Sequence, residues 1–239
     1  MKRIIAIILA ALMLVSFASC KASNGTGDDT TINEETKAEA GKDNNKNDVE
    51  TTEKEEEKAP EFALGTYSEG AYENKYLGLG CKLSGDWSFY SEEQIKNLNN
   101  VTADVAGEDY QKLMEEASVV TDMYAIHSNG LDSINVNFEK IGLVNALTYD
   151  AKKTFEASSD MLKSAFANMG YENISSEITK VEFVGKEYTA LRTTATISGI
   201  DMYQVIVADV RGAHVFNITF TTFYEDSTDK LLETFYKMK

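Results

Sequence analysis

Polar and apolar positions divide the chain into three stretches. Residues 4–17 are apolar apart from one serine. Residues 21–61 are almost wholly polar. From residue 62 onward short apolar runs recur with a changing period. In that last stretch "YSEGAYENKYLGLGCKLSGDW" reads as two short strands, with turns at Glu73-Asn74 and Ser84-Gly85. "SEEQIKNLNN" opens a helix with a capping box, Ser91 accepting from a backbone amide and Gln94 reaching back. "GEDYQKLMEEA" continues helically and puts Tyr110, Leu113, Met114 and Ala117 on one side.

The period then shortens. "TDMYAIHSNGLDSINVNFEKIG" holds two strands about Asn129-Gly130, a strong hairpin signal, and Ile134, Val136 and Phe138 alternate to one face. "TYDAKKTFEASSDMLKSAFANMG" is the clearest helix: Phe155, Leu162, Phe166 and Met169 recur at helical spacing and Gly170 suits a left-handed stop. Four strands follow, reversing at Gly185, Ser198-Gly199 and Arg211-Gly212, and in the last of them Phe216, Ile218 and Phe220 oppose Asn217, Thr219 and Thr221. Turns this short make the meander antiparallel. Asp226 or Ser227 caps a final helix, "TDKLLETFYKM", with Leu231, Leu232, Phe235 and Met238 as its apolar stripe. The predicted fold class is α+β, an antiparallel sheet with helices on both faces in an α/β/α sandwich.

The first stretch has export character. Lys2 and Arg3 precede an apolar core, Ile4 to Phe17, of signal-peptide rather than membrane-spanning length. Ala18 and Ser19 then lead to Cys20. "FASC" resembles the lipobox of bacterial lipoproteins, with Phe17 standing where the family usually has leucine. The resemblance implies a diacylated Cys20 as the mature N-terminus and as the lipid attachment site. An ordinary leader cut near Ala18 is the alternative. Two or more acyl chains would hold the protein stably at the outer, extracytoplasmic face of a membrane. Residues 20–61 hold too little apolar surface to offset the entropy of ordering. They read as an acidic tether with a root-mean-square reach of about 35 Å. Residues 1–19 are thus the leader, 20–61 the tether, and 62–239 a single globular domain.

Within that domain "NKYLGLGCKLSGDWSFYSEEQI", a hairpin, a long helix, "VEFVGKEYTALRT" and a closing meander resemble the PsbP-like fold. That fold is shared by small lipoproteins of low-GC Gram-positive bacteria and by photosystem-associated and Ran-release-factor proteins. Tyr76-Leu77-Gly78 and Leu83-Ser84-Gly85-Asp86-Trp87 stand where such sequences carry an aromatic with Leu-Gly and a Leu-Pro-x-x-Trp turn, Ser84 replacing the proline. The resemblance implies adaptor or accessory binding and assigns no catalytic residue.

Formal net charge is −16 and no block of lysine or arginine interrupts it, so nucleic acid is not an expected partner. The acidity reads as a solubility device, with a cationic partner or Ca²⁺ as the alternative. Cys81, left without a partner if Cys20 carries lipid, reads as a small buried thiol. His127 and His214 have no second ligand at metal spacing, and no phosphate loop, nucleophile elbow or zinc motif occurs. No cofactor or metal is expected. Glu108 with Asp109, and Glu115 with Glu116, read as a solvated helix face, and Asn217 lies in a strand, a poor place for a glycan. Tyr67, Tyr72, Tyr76, Trp87, Phe89 and Tyr90 read as core, with an exposed platform as the alternative. The function expected is a membrane-anchored, non-enzymatic binding or accessory module for an extracytoplasmic protein or glycan. The alternative is a hydrolase using carboxylates in a groove beside the sheet.

Overall fold

The computed structural model describes residues 61–108, Lys112 and 119–238. Cys20, the leader and the tether lie outside the described residues, as do Tyr110, Leu113, Met114 and Ala117.

The larger of two sheets has seven antiparallel strands: Trp87–Phe89 (β4), Val119–His127 (β5), Ser133–Lys140 (β6), Glu172–Phe183 (β7), Lys186–Ile197 (β8), Ile200–Arg211 (β9) and His214–Phe223 (β10). Their spatial order is β4-β5-β6-β10-β9-β8-β7. The hairpins at Asn129-Gly130, Gly185, Ser198-Gly199 and Arg211-Gly212 form as the turn residues require. A smaller sheet, β1-β2-β3-β11, is built from Thr66–Ser68 (β1), Ala71–Asn74 (β2), Leu79–Lys82 (β3) and Phe235–Lys237 (β11).

The helices are Glu92–Ala106 (α1), Leu143–Leu147 (α2), Ala151–Asn168 (α3) and Thr228–Leu232 (α4). Ser91 caps α1, and both arms of its capping box with Gln94 form. On one face of the large sheet, Phe155, Leu162 and Phe166 of α3 pack with Leu191, Met202, Ile206 and Val215. Phe155 and Leu162 are fully enclosed, each contributing about 2–3 kcal/mol. Beside α3, Ile95 and Leu98 of α1 cover Tyr124.

The opposite face departs from the predicted sandwich. Ile134, Val136, Phe138, Phe216, Ile218 and Phe220 do share a face, but the layer over them is the small sheet plus one turn of helix. Tyr72, Leu79 and Cys81 pack there together with Leu231, Leu232 and Phe235. The difference lies mostly at the C-terminus. The stripe Leu231, Leu232, Phe235, Met238 does not continue as helix: α4 ends at Leu232, and Phe235 pairs with Cys81 on the open edge of β3. There the ring packs 5.4 Å from Phe183 and 5.6 Å from Phe220. Pairing satisfies a row of backbone groups on β3 that an edge facing a helix would leave open. The cap of α4 also differs in detail, because Asp226 Oδ1 accepts from Thr228 N and Oγ1 while Ser227 makes no side-chain cap. The first predicted turn is displaced too. Glu73-Asn74 end β2, and the chain reverses beyond them as Asn74 Oδ1 accepts from Leu77 N and Gly78 takes φ 69°.

The central part of the helix-side face is polar. Thr121 Oγ1 donates to Asn137 Oδ1 at 2.8 Å, and Asn137 Nδ2 donates to Asn135 Oδ1 at 2.7 Å and Asn217 Oδ1 at 3.0 Å. The three amides are 0–1% exposed. Mutual hydrogen bonding removes the penalty of burying them.

Candidate binding surfaces

A bulge in β5 creates the most distinctive polar contact. The register with β6 slips between Thr121 and Met123, so Asp122 is an extra residue turned toward the small sheet. Its carboxylate accepts from Gly65 N at 2.8 Å, Asn74 Nδ2 at 2.7 Å and Tyr72 Oη at 2.5 Å. Tyr67 Oη donates to the Asp122 carbonyl. Burial and the adjoining Asp122 charge hold the Tyr72 phenol far above its ordinary pKa, so it stays a donor. Four groups from the chain entry and the small sheet thus converge on one residue of the large sheet.

Above this pin lies a groove of about 530 Å³ between β1 and α1, walled by Leu64, Tyr67, Tyr90, Ile95 and Val120 and, along α1, by Glu92, Lys96, Asn99 and Asn100. Leu64, Tyr67 and Val120 are 40–48% exposed, so the recess offers aliphatic and aromatic surface to solvent. A second recess of about 570 Å³ lies beside α4 and is lined by Lys180, Glu182, Arg192, Asp229 and Glu233. Arg192 is committed within it, with Nη2 2.5 Å from Asp229 and Nη1 donating to Thr228 Oγ1 at 3.3 Å.

The residues singled out in the sequence fall as follows. Cys20 is outside the described residues. Cys81 is fully buried against Thr234, and desolvation pushes its thiol up to about 11, so it is an unreactive core residue. His127 ends β5 beside the Trp87 ring. His214 is buried under Phe62, whose ring stacks on it at 4.0 Å, and Tyr76 Oη lies 3.1 Å from its Nδ1. Burial, aided by Lys140, lowers its pKa. Of the N-terminal aromatics, Tyr72 and Tyr76 are core, Trp87, Phe89 and Tyr90 are half-buried, and Tyr67 at 44% is the exposed one. Glu108 is solvated, Asp109, Glu115 and Glu116 lie outside the described residues, and Asn217 is fully buried in β10.

The sequence reading missed Asp122, because a bulge leaves no mark in an alternation pattern. It also missed α2, where Leu143, Val144 and Leu147 are 67%, 78% and 88% exposed. An apolar run after Gly142 was the available signal there.

A hydrolytic carboxylate pair needs two acids converging on one cleft. The buried acids Asp122 and Glu139 do not converge: Asp122 faces the small sheet, whereas Glu139 alternates with Phe138 and faces the helices. Among the described residues no group of three His, Cys, Asp or Glu side chains is placed to hold a metal ion. Among them, too, no helix is long and apolar enough to cross a membrane.

No family model matches the chain, and no curated protein matches it. Among solved structures it is similar to the crystal structure of LpqN, involved in cell envelope biogenesis of Mycobacterium tuberculosis. Identity is 10%, 67% of this chain and 83% of that one are covered, and the TM-score is 0.39. A likeness this distant says nothing of this chain's role.

Proposed function

We propose that the protein is a non-enzymatic binding or accessory module, held at the extracytoplasmic face of a membrane by lipid on Cys20. The tether gives the domain freedom to meet an envelope protein or glycan, and the groove between β1 and α1 is the surface that engages it. One observation carries the binding assignment: the groove exposes Leu64, Tyr67 and Val120 above a carboxylate whose oxygens are already engaged by fixed donors. Aliphatic and aromatic surface facing polar side chains of α1, over a carboxylate already engaged, favours capture of a ligand over chemistry on it. The PsbP-like resemblance belongs to this proposal, since accessory binding is what it implies.

Two measurements test the reading. Acyl mass on the first residue of the isolated protein, and loss of envelope sedimentation in Cys20→Ser, are the expected signs of anchoring. For the groove, the anchored protein should retain a defined envelope protein or glycan that Tyr67→Ala releases. Turnover by the purified protein in a broad hydrolase screen would overturn the non-enzymatic assignment.

A further inference from the structure

Short helix α2 buries none of its five residues, yet it is held rigidly. Ile141 N and Gly142 N both donate to Ala213 O at 3.0 Å, Asn145 Nδ2 donates to Ile141 O at 2.8 Å, and Ala146 and Tyr149 pack on the core beneath α3. What this scaffold presents outward is Leu143, Val144 and Leu147, the three most exposed large apolar side chains among the described residues. A soluble surface gains nothing from three adjacent aliphatic side chains held in place, so the patch calls for an apolar partner.

The chain path and the absence of net charge around α2 point to that partner. In a chain of net charge −16 the surroundings of α2 are locally balanced: Lys140, Lys152 and Lys153 stand against Glu139, Asp150 and Glu156, with Lys152 paired to Glu156 at 2.9 Å and Lys153 to Asp150 at 3.5 Å. The chain also enters the domain at this end of the large sheet. Phe62 stacks on His214, the residue next to the Ala213 carbonyl that holds α2. The stretch leading from Cys20 therefore joins the body at the sheet end that bears the apolar knob. An apolar tip on a locally neutral surface, at the point where the anchor arrives, fits the interface of a phospholipid bilayer.

We infer that α2 is a membrane-docking element: Leu143, Val144 and Leu147 insert into the bilayer interface and seat the domain against the membrane that holds its anchor. This rests on the anchored reading above, and it adds to the tethered domain a docked state in which the β8–β9 reversal, at the sheet end opposite α2, faces away from the membrane. With Lys152 and Lys153 already paired to acids, docking rests on apolar insertion and should change little with salt.

The test uses acylated protein reconstituted in vesicles of phosphatidylethanolamine and phosphatidylglycerol. A polarity-sensitive fluorophore is placed on Leu147→Cys and, at the far end of the β8–β9 hairpin, on Ser198→Cys. Cys81 is fully buried and does not compete for label. The expected result is a blue shift and quenching by brominated lipid at position 147, with position 198 remaining in water. A wet label at 147 overturns the inference. So does a blue shift without vesicles that grows with protein concentration, which would assign the patch to a second copy, or one that needs added envelope protein.

A second arm separates this inference from the anchoring itself. Unacylated protein, with Cys20→Ser and the leader removed, is sedimented with the same vesicles. The triple change Leu143→Ser, Val144→Ser, Leu147→Ser should lower its partitioning about 100-fold. If the isolated protein carries no acyl mass but this difference holds, the anchor reading fails and the docking element stands. If the anchor is present and the two proteins partition alike, the docking element fails by itself.

Discussion

Replacing Tyr72 by phenylalanine isolates the contact that pins the two sheets together. The ring is fully buried and would stay in place, so no cavity opens and the transfer energy of the aromatic surface is unchanged. What is lost is one hydrogen bond from the hydroxyl to the Asp122 carboxylate, a bond to a charged group worth about 1.5–3 kcal/mol. Asn74 Nδ2 and Gly65 N continue to donate to the same carboxylate, which keeps the loss near the middle of that range, about 2 kcal/mol. With a urea slope of about 2 kcal/mol/M, the unfolding midpoint should fall by about 1 M at constant slope. Trp87, the single tryptophan, lies half-buried in β4 beside Asp86 and reports the transition by fluorescence. A double-mutant cycle with Asp122→Asn should recover most of the loss as coupling between the two residues. A loss below about 0.5 kcal/mol, or an equal loss in the Asp122→Asn background, would refute the claim that this hydroxyl and this carboxylate stabilise each other.

Three further outcomes follow from the same geometry. Gly65→Ala places a Cβ 2.2 Å from the Tyr72 ring, which Asp122 holds in position, and should cost about 1–3 kcal/mol in the same urea assay; an unchanged midpoint would show that the ring gives way freely. His214 has a lowered folded pKa, so the unfolded chain binds the proton more readily. Its contribution is complete above an unfolded value of about 6.5 and is lost as pH falls through the folded value. Thermal midpoints should therefore decline on acidification across that window, and His214→Gln should flatten the decline; equal slopes would assign the acid sensitivity elsewhere. Cys81, buried and with its thiol pushed up to about 11, should resist disulfide reagents at mildly alkaline pH until urea unfolds the domain. Rapid stoichiometric labelling of the folded protein would contradict that placement.

Local pattern was enough for the elements whose signals are local. The capping box at Ser91, the stripe of Phe155, Leu162 and Phe166, and the glycine reversals from β7 to β10 each depend on residues a few positions apart, and the chain folds as they direct. The buried role of Cys81, Tyr72 and Tyr76 was equally legible, because apolar side chains in alternating runs have few other places to go.

The rest was decided by contacts between distant parts of the chain. Phe235 carries the spacing of a helical stripe, yet the open edge of β3, some 150 residues earlier, draws it into a strand, since pairing backbone groups and burying the ring against Phe183 and Phe220 outweighs continuing a short helix. Asp122 became a pin between sheets only because the bulge turned it toward Tyr72 and Asn74. Likewise, Leu143, Val144 and Leu147 look like core in a hydropathy pattern, and the hydrogen bonds of Ile141 and Gly142 to Ala213 hold them outside it. The sequence by itself determined the antiparallel meander, its turns and its principal helix, because those follow from side-chain periodicity and backbone freedom within a few residues. Which layer covers each face, which carboxylate is enclosed and which apolar side chains remain outside were settled by the tertiary structure, because burial is a property of the assembled surfaces and not of the order of residues.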